Sequence, residues 1–205
     1  MISDLAKRSY HHGDLRSALI RAGVEILQKE GPEALSLRAV ARAAGVSQTA
    51  PYRHFTDRRA LVAAIAEDGF GKLQDALMQA MQSDSGRLGL KAVALAYVQF
   101  AHENGAQYRV MFGPEVAATE DLPELRSTAR SVLGFVEHGI ASLQQAGLVG
   151  PGNPALMAVS IWSMLHGLVM LSLDGQAGSV TDSLDQLVEE STRIMMFGMA
   201  ADSSR

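Results

Sequence analysis

The chain contains no cysteine among its 205 residues, which excludes disulfides, thiolate metal sites and a cysteine nucleophile together. It also lacks G-x-S-x-G, a phosphate-cradling glycine loop and H-E-x-x-H, the common signatures of serine hydrolases, nucleotide enzymes and zinc proteases. Histidines stand at 11, 12, 54, 102, 138 and 166, a scatter that specifies no metal site. Glu137 with His138, and Glu103 with His102, are adjacent pairs, and adjacent residues of a helix do not face each other. These absences lead us to expect no enzyme, no cofactor and no metal. The opening MISDLAKRSYHHGDL has no apolar run and does not read as a secretory signal. Residues 1–13 are expected to form a flexible basic arm, and the protein to work in the cytoplasm. No segment alternates as a strand should, and no internal repeat is evident.

What is present is helix after helix. Hydrophobic residues make up 47% of the chain and charged residues 20%, the balance of a folded globular protein. Leu15, Leu19, Ala22 and Ile26 mark a first helix that GPE at 31–33 ends. A long helix is expected from about Asp57 to Met81, another over Leu88–His102, and a short one around Tyr108–Phe112. Leu125, Ala129, Val132, Val136, Ile140 and Leu143 keep helical spacing, each three or four residues from the last, over an expected helix of more than twenty residues. Two last helices are expected at about Pro154–Leu173 and Val180–Met199. Charge is divided unevenly. The total is −4, yet residues 1–60 hold ten Lys or Arg against six Asp or Glu, while residues 61–205 hold eight against sixteen. A basic end on an acidic body turns that end toward phosphate and the remainder away from it.

Residues 36–61, SLRAVARAAGVSQTAPYRHFTDRRAL, carry the function. Ser36 is an N-cap candidate, and Leu37, Val40, Ala41 and Ala44 then fall on one face. Gly45 supplies a residue that tolerates positive φ where that helix ends, and Val46 is an apolar pin for the turn. Ser47 is a second cap candidate, for a short helix carrying Gln48, Thr49, Ala50, Tyr52, Arg53 and His54. Pro51 lies in or just after its first turn, where the missing N–H costs least. Helix, turn and helix in this order place the second helix in the major groove of DNA. Arg38, Arg42, Arg53, Arg58 and Arg59 cluster around it.

In the stretches LQKEGPEALSLRAVA, AGVSQTAPYRHF and TDRRAL, the chain resembles the TetR family of bacterial transcriptional regulators over roughly Asp14 to Leu73. That resemblance implies that Gln48, Thr49 and Ala50 face base edges, that Tyr52 and His54 contact phosphates, and that Arg58 meets the backbone in place of a more usual lysine. Pro51 replaces a more usual aliphatic residue and leaves the start of the recognition helix open by a residue or two. The full set expected at DNA is Ser36, Arg38, Ser47, Gln48, Thr49, Ala50, Tyr52, Arg53, His54 and Arg58. The fold expected is all-α: an N-terminal three-helix helix-turn-helix domain at 14–74 and a helical effector-binding and dimerisation domain at 75–205.

Ala155–Leu173 holds no charged residue, and by length alone could span a bilayer. Ser160, Ser163, His166 and Ser172 interrupt it, and no Lys or Arg flanks either end to orient it. A helix apolar on all sides is instead expected between protomers. Leu184, Leu187, Val188, Ile194 and Met195 are expected to face it, giving a homodimer through about 154–199, with no membrane involved. Two recognition helices related by a dyad would read a palindromic operator with half-sites about 34–36 Å apart, or a multiple of that. W-x-x-x-H-G, formed by Trp162, His166 and Gly167, together with QYRVMF at 107–112, resembles a TetR subgroup named for those Trp-His-Gly letters. An unknown small apolar effector is expected against Tyr97, Phe100, Tyr108, Met111, Phe112, Phe135, His138, Trp162 and His166. The reading is thus a regulator, expected to repress, that an effector releases from double-stranded operator DNA. The alternative is a helical ligand-binding dimer without a role at DNA.

Overall fold

A computed structural model describes residues 12–83, 87–117, 122–176 and 183–198. Most of the expected N-terminal arm, and the expected linker at 84–86, lie outside the described residues. Among those described there are nine α helices, and the first ends where its sequence should stop it. Helix α1, His12–Glu30, is followed by Gly31 at φ 84 and by a 3-10 turn at Pro32–Ala34. Ser36 then caps α2, Leu37–Ala43, its side chain accepting from Ala39 N at 3.1 Å. Gly45 turns the chain at φ 67 with nothing within 4 Å of where a Cβ would stand. Its requirement is therefore backbone conformation and not space.

The next segment departs from expectation. Ser47 does not start an α helix; its hydroxyl lies 3.2 Å from the Thr49 hydroxyl. Residues 47–54 wind through three-residue bonds, Ala50 N to Ser47 O, Arg53 N to Ala50 O and His54 N to Pro51 O, with a 3-10 turn at Pro51–Arg53, before Phe55 N closes a four-residue bond to Pro51 O. Pro51 explains this. It has no N–H to give Ser47 O, and its ring crowds the carbonyl four residues back, so the tighter winding replaces the α-helical one. Pro51 is itself buried, with Phe55 beside it at 2% exposure.

Helix α3, Arg58–Ser83, opens with Asp57 Oδ1 accepting from Ala60 N at 2.8 Å and runs through two cores. Its first half closes a small bundle with α1 and α2 around Leu19, Ile26, Leu35, Val40, Phe55, Leu61 and Ile65. Its second half enters a larger bundle with α4 (Arg87–Glu103), α5 (Gly105–Met111), α6 (Pro114–Ala117), α7 (Pro123–Gln145), α8 (Pro154–Leu173) and α9 (Leu184–Gly198). The expected helices of the larger bundle are present within a few residues of their expected ends. Helix α3 is thus unbroken from one core to the other.

Helix α5 is fastened where it crosses α3. Gln107, fully buried, donates from Nε2 to Ile65 O and to Asp68 Oδ2, each at 2.8 Å. Gly69 makes the crossing close, since a Cβ there would lie 2.6 Å from Met111 Sδ. At the other side Arg109 donates to Leu173 O at 3.0 Å and pairs with Asp174 at 2.6 Å. In α9, Val188, Thr192 and Met195 are buried, but Ile194 is 49% exposed. Ile194, expected to face α8 within the chain, therefore points outward, because it follows the buried Thr192 by two residues and lies about 200° around the helix from it.

Candidate DNA-reading edge and effector cavity

The small bundle presents one polar edge. Ser47, Gln48, Thr49, Tyr52 and Arg53 are exposed, as are Arg38 and Arg42 on α2. Ala50 is half-buried, and Pro51 and Phe55 sit beneath as the apolar anchor. This edge has the exposure and the polar chemistry needed to meet base edges and phosphates. Ser36 is spent on the cap described above. His54 is half-buried, with Nε2 wholly inside and unpartnered, so that nitrogen does not face a phosphate as expected.

Arg58 is also placed otherwise than expected. Its Nε donates to Leu35 O and one terminal nitrogen to Pro32 O, both at 3.0 Å, while the other terminal nitrogen pairs with Glu115 of α6. All three guanidinium nitrogens are engaged within the chain. The fork that suits a phosphate suits these acceptors equally well.

The larger bundle holds a cavity of about 790 Å³ between α3, α4, α5, α6, α7, α8 and α9. That lies within the range of pockets that take drug-sized ligands, roughly 300–1,000 Å³. Tyr97, Met111, Phe112, Trp162 and His166 of the expected set line it. Four others do not. Tyr108 is one layer behind the wall, Phe100 belongs to the surrounding core, Phe135 is half-buried to one side, and His138 is exposed. For Phe135 and His138 the misplacement is one of helical phase: α7 turns Ala129, Val132 and Val136 toward the cavity, and two further residues carry His138 to the far side. Leu73, Leu77, Val93, Leu125 and Leu165 also line the cavity, unremarked because plain leucines and valines at helical spacing are indistinguishable from ordinary core.

One chain of polar contacts crosses this apolar interior. Trp162 Nε1–H donates to Tyr97 Oη at 3.1 Å, Tyr97 Oη lies 2.6 Å from Tyr108 Oη, and Tyr108 Oη lies 2.7 Å from His166 Nδ1. The indole can only donate. The proton arrangement that leaves no hydroxyl hydrogen idle runs Tyr97 to Tyr108 to a bare His166 Nδ1, which puts the imidazole proton on Nε2. Burial lowers the His166 pKa and so favours this neutral ring. Burial likewise pushes the Tyr97 hydroxyl up to about 12 and raises that of Tyr108. Phe112 stacks edgewise on His166 with centroids 4.7 Å apart. Trp162 and His166 of the W-x-x-x-H-G letters are thus both bonded through tyrosines, at the wall of the cavity.

A short helix capped by serine, a glycine-hinged turn and an exposed polar edge on a three-helix bundle define a helix-turn-helix regulator. The chain belongs to the TetR family. The signature described as "Bacterial regulatory proteins, tetR family" matches residues 19–65, and "Tetracyclin repressor-like, C-terminal domain" matches residues 90–195. The class C tetracycline repressor protein of Escherichia coli is 29% identical over 174 residues, which cover 84% of this chain and 72% of that protein. A protein of unknown function from Rhodococcus sp. RHA1 is 33% identical, covering 95% of this chain and 100% of its own, with a TM-score of 0.84. A TetR family regulator from Marinobacter aquaeolei VT8, 22% identical over 91% of this chain and 95% of its own, shares the fold at a TM-score of 0.64. The family is one of transcriptional regulators and not of enzymes, as the sequence led us to expect.

Proposed function

We propose that the protein is a homodimeric repressor that reads a palindromic operator with residues 14–74 and is released by a small molecule held in residues 75–205. Gln48 and Thr49, with Ala50 between them and the anchor, read base edges. Tyr52 and Arg53, helped by Arg38 and Arg42, hold phosphates. The observation that carries this is the exposed edge Ser47–Arg53 seated on buried Pro51 and Phe55, since a surface built only for solubility needs no such anchor. The proposal extends to membership of the Trp-His-Gly subgroup, which the C-terminal letters W-x-x-x-H-G support, and to work in the cytoplasm.

A random duplex pool supplies the test. The protein should enrich a two-fold-symmetric sequence, and its binding should weaken steeply with salt. Thr49→Ala should then alter preference at one base position by on the order of 1–3 kcal/mol, while Tyr52→Phe should weaken every duplex alike. Enrichment of no sequence at moderate salt would leave only a helical ligand-binding dimer.

A further inference from the structure

We infer that the effector is an organic anion, with an apolar body and an acid group seated at Arg126 and Arg130; this rests on the effector-cavity reading above. Every charged side chain lining the described cavity is a cation: Lys91, Arg126 and Arg130, with no carboxylate among the lining residues. Of the uncharged polar groups of the wall, His166 leans the same way, whereas Thr192, its hydroxyl proton spent on Val188 O or Glu189 O, keeps only acceptor lone pairs. Tyr97 and His166 Nδ1 are engaged in the chain of contacts described above, which leaves the His166 Nε2–H as a donor. A wall that offers protons and positive charge, and offers no carboxylate, selects against amines and in favour of acceptors and anions.

The position of the arginines sharpens this. They are four residues apart on α7 and so share one face, where like charges repel. Arg126 is the fourth residue of that helix, close to the positive end of its macrodipole, where a cation is disfavoured again. Glu124 lies two residues back and hence on another face. Both arginines are exposed at the rim while the residues between them and beyond, Ala129 and Val132, descend into the apolar wall. An acid group lying between the guanidiniums offsets both penalties at once, and its apolar body continues along Val132 and Val136. Lys91 is the poorer anchor. Its Nζ already lies 3.6 Å from Glu189 Oε1, and its neighbour Leu90 packs with Ile140, ten residues and roughly 15 Å along α7 from Arg130.

A matched pair of dyes isolates the acid group. Anilinonaphthalene sulfonate and phenylnaphthylamine share one apolar body, and only the first carries an anion. The full-length protein should bind the sulfonate on the order of tenfold more tightly than the neutral dye, read by dye fluorescence excited through the single Trp162 in the cavity wall. The double variant Arg126→Gln with Arg130→Gln should bring the two dyes to parity and leave the neutral dye's affinity unchanged, which also shows that the cavity is intact. Equal affinities in the native protein, or a preference that survives the double variant, would overturn the anionic class while leaving the cavity reading in place. Binding of neither dye by the native protein would remove the cavity reading itself.

Discussion

Tyr108 joins the interior's polar groups into one chain, because its hydroxyl serves both Tyr97 and His166. Tyr108→Phe removes that atom and strands the buried Tyr97 hydroxyl proton and the half-buried His166 Nδ1, so it should cost roughly 1–3 kcal/mol, read from urea unfolding. The same chain sets a pH dependence. Burial lowers the folded-state pKa of His166, and its neighbours Tyr108, Phe112 and Trp162 are uncharged. Between the folded and unfolded values the unfolded chain therefore holds more protons, so stability is full above the unfolded pKa, about 6.5, and falls as pH drops through it. His166→Asn keeps an acceptor for Tyr108 but has no titratable ring, and should flatten the acid limb of the melting temperature between pH 7 and 5. An unchanged acid limb would place the titrating group elsewhere. At this scale the sequence showed the right residue types and left their pairing hidden. Trp162 and His166 are recognisable four apart, but their tyrosine partners lie 65 and 58 residues away, and nothing local announces them.

Helix α6 and the N-terminus of α3 show the same limit at the level of elements. The spacing of Leu125, Val132, Ile140 and Leu143 gives α7 directly, because a stripe that must be buried repeats with the helix. Phase alone, properly followed, would also have removed His138 from the cavity wall. Pro51 shows a local rule winning over a family pattern: a segment read as a helix winds as 3-10 because one N–H is missing. Arg58 is different in kind, since its partner Glu115 is 57 residues away. The residue before Val116 and Ala117 of the cavity wall thus holds a guanidinium that family resemblance assigns to phosphate. Glu115→Gln weakens that hold and should raise affinity for the selected duplex severalfold in fluorescence anisotropy, because Arg58 then reaches a phosphate at lower cost. Unchanged affinity would mean that Arg58, still bonded to Leu35 O and Pro32 O, never leaves the protein.

On the molecule as a whole, the apolar surface is concentrated on α8. Among the described residues, Leu156 is 67% exposed, Leu171 49%, Val159 40% and Met164 39%, and with Ser160, Ser163 and Gly167 they fall at helical spacing on one face. Helix α8 is long and apolar enough to cross a membrane by length and composition. Its opposite side, however, packs Ala158, Leu165 and Val169 into the chain's own interior, which a lipid-facing span placed alone would not do. An exposed stripe backed by a packed stripe suits a second copy of the same helix, with Ser160, Ser163 and Gly167 allowing close approach across a two-fold axis. Leu156→Glu together with Met164→Glu puts charge where each chain alone would expose those positions to water. If the chain were a monomer the change would be nearly silent. If α8 meets its copy, four carboxylates enter one interface, and light scattering should give the mass of a single chain with helix content retained. Operator binding should fall with it, because a lone reading edge contacts too few bases to be selective. A native protein that already scatters as one chain, yet binds a symmetric duplex tightly, would break the link between assembly and recognition on which this argument depends.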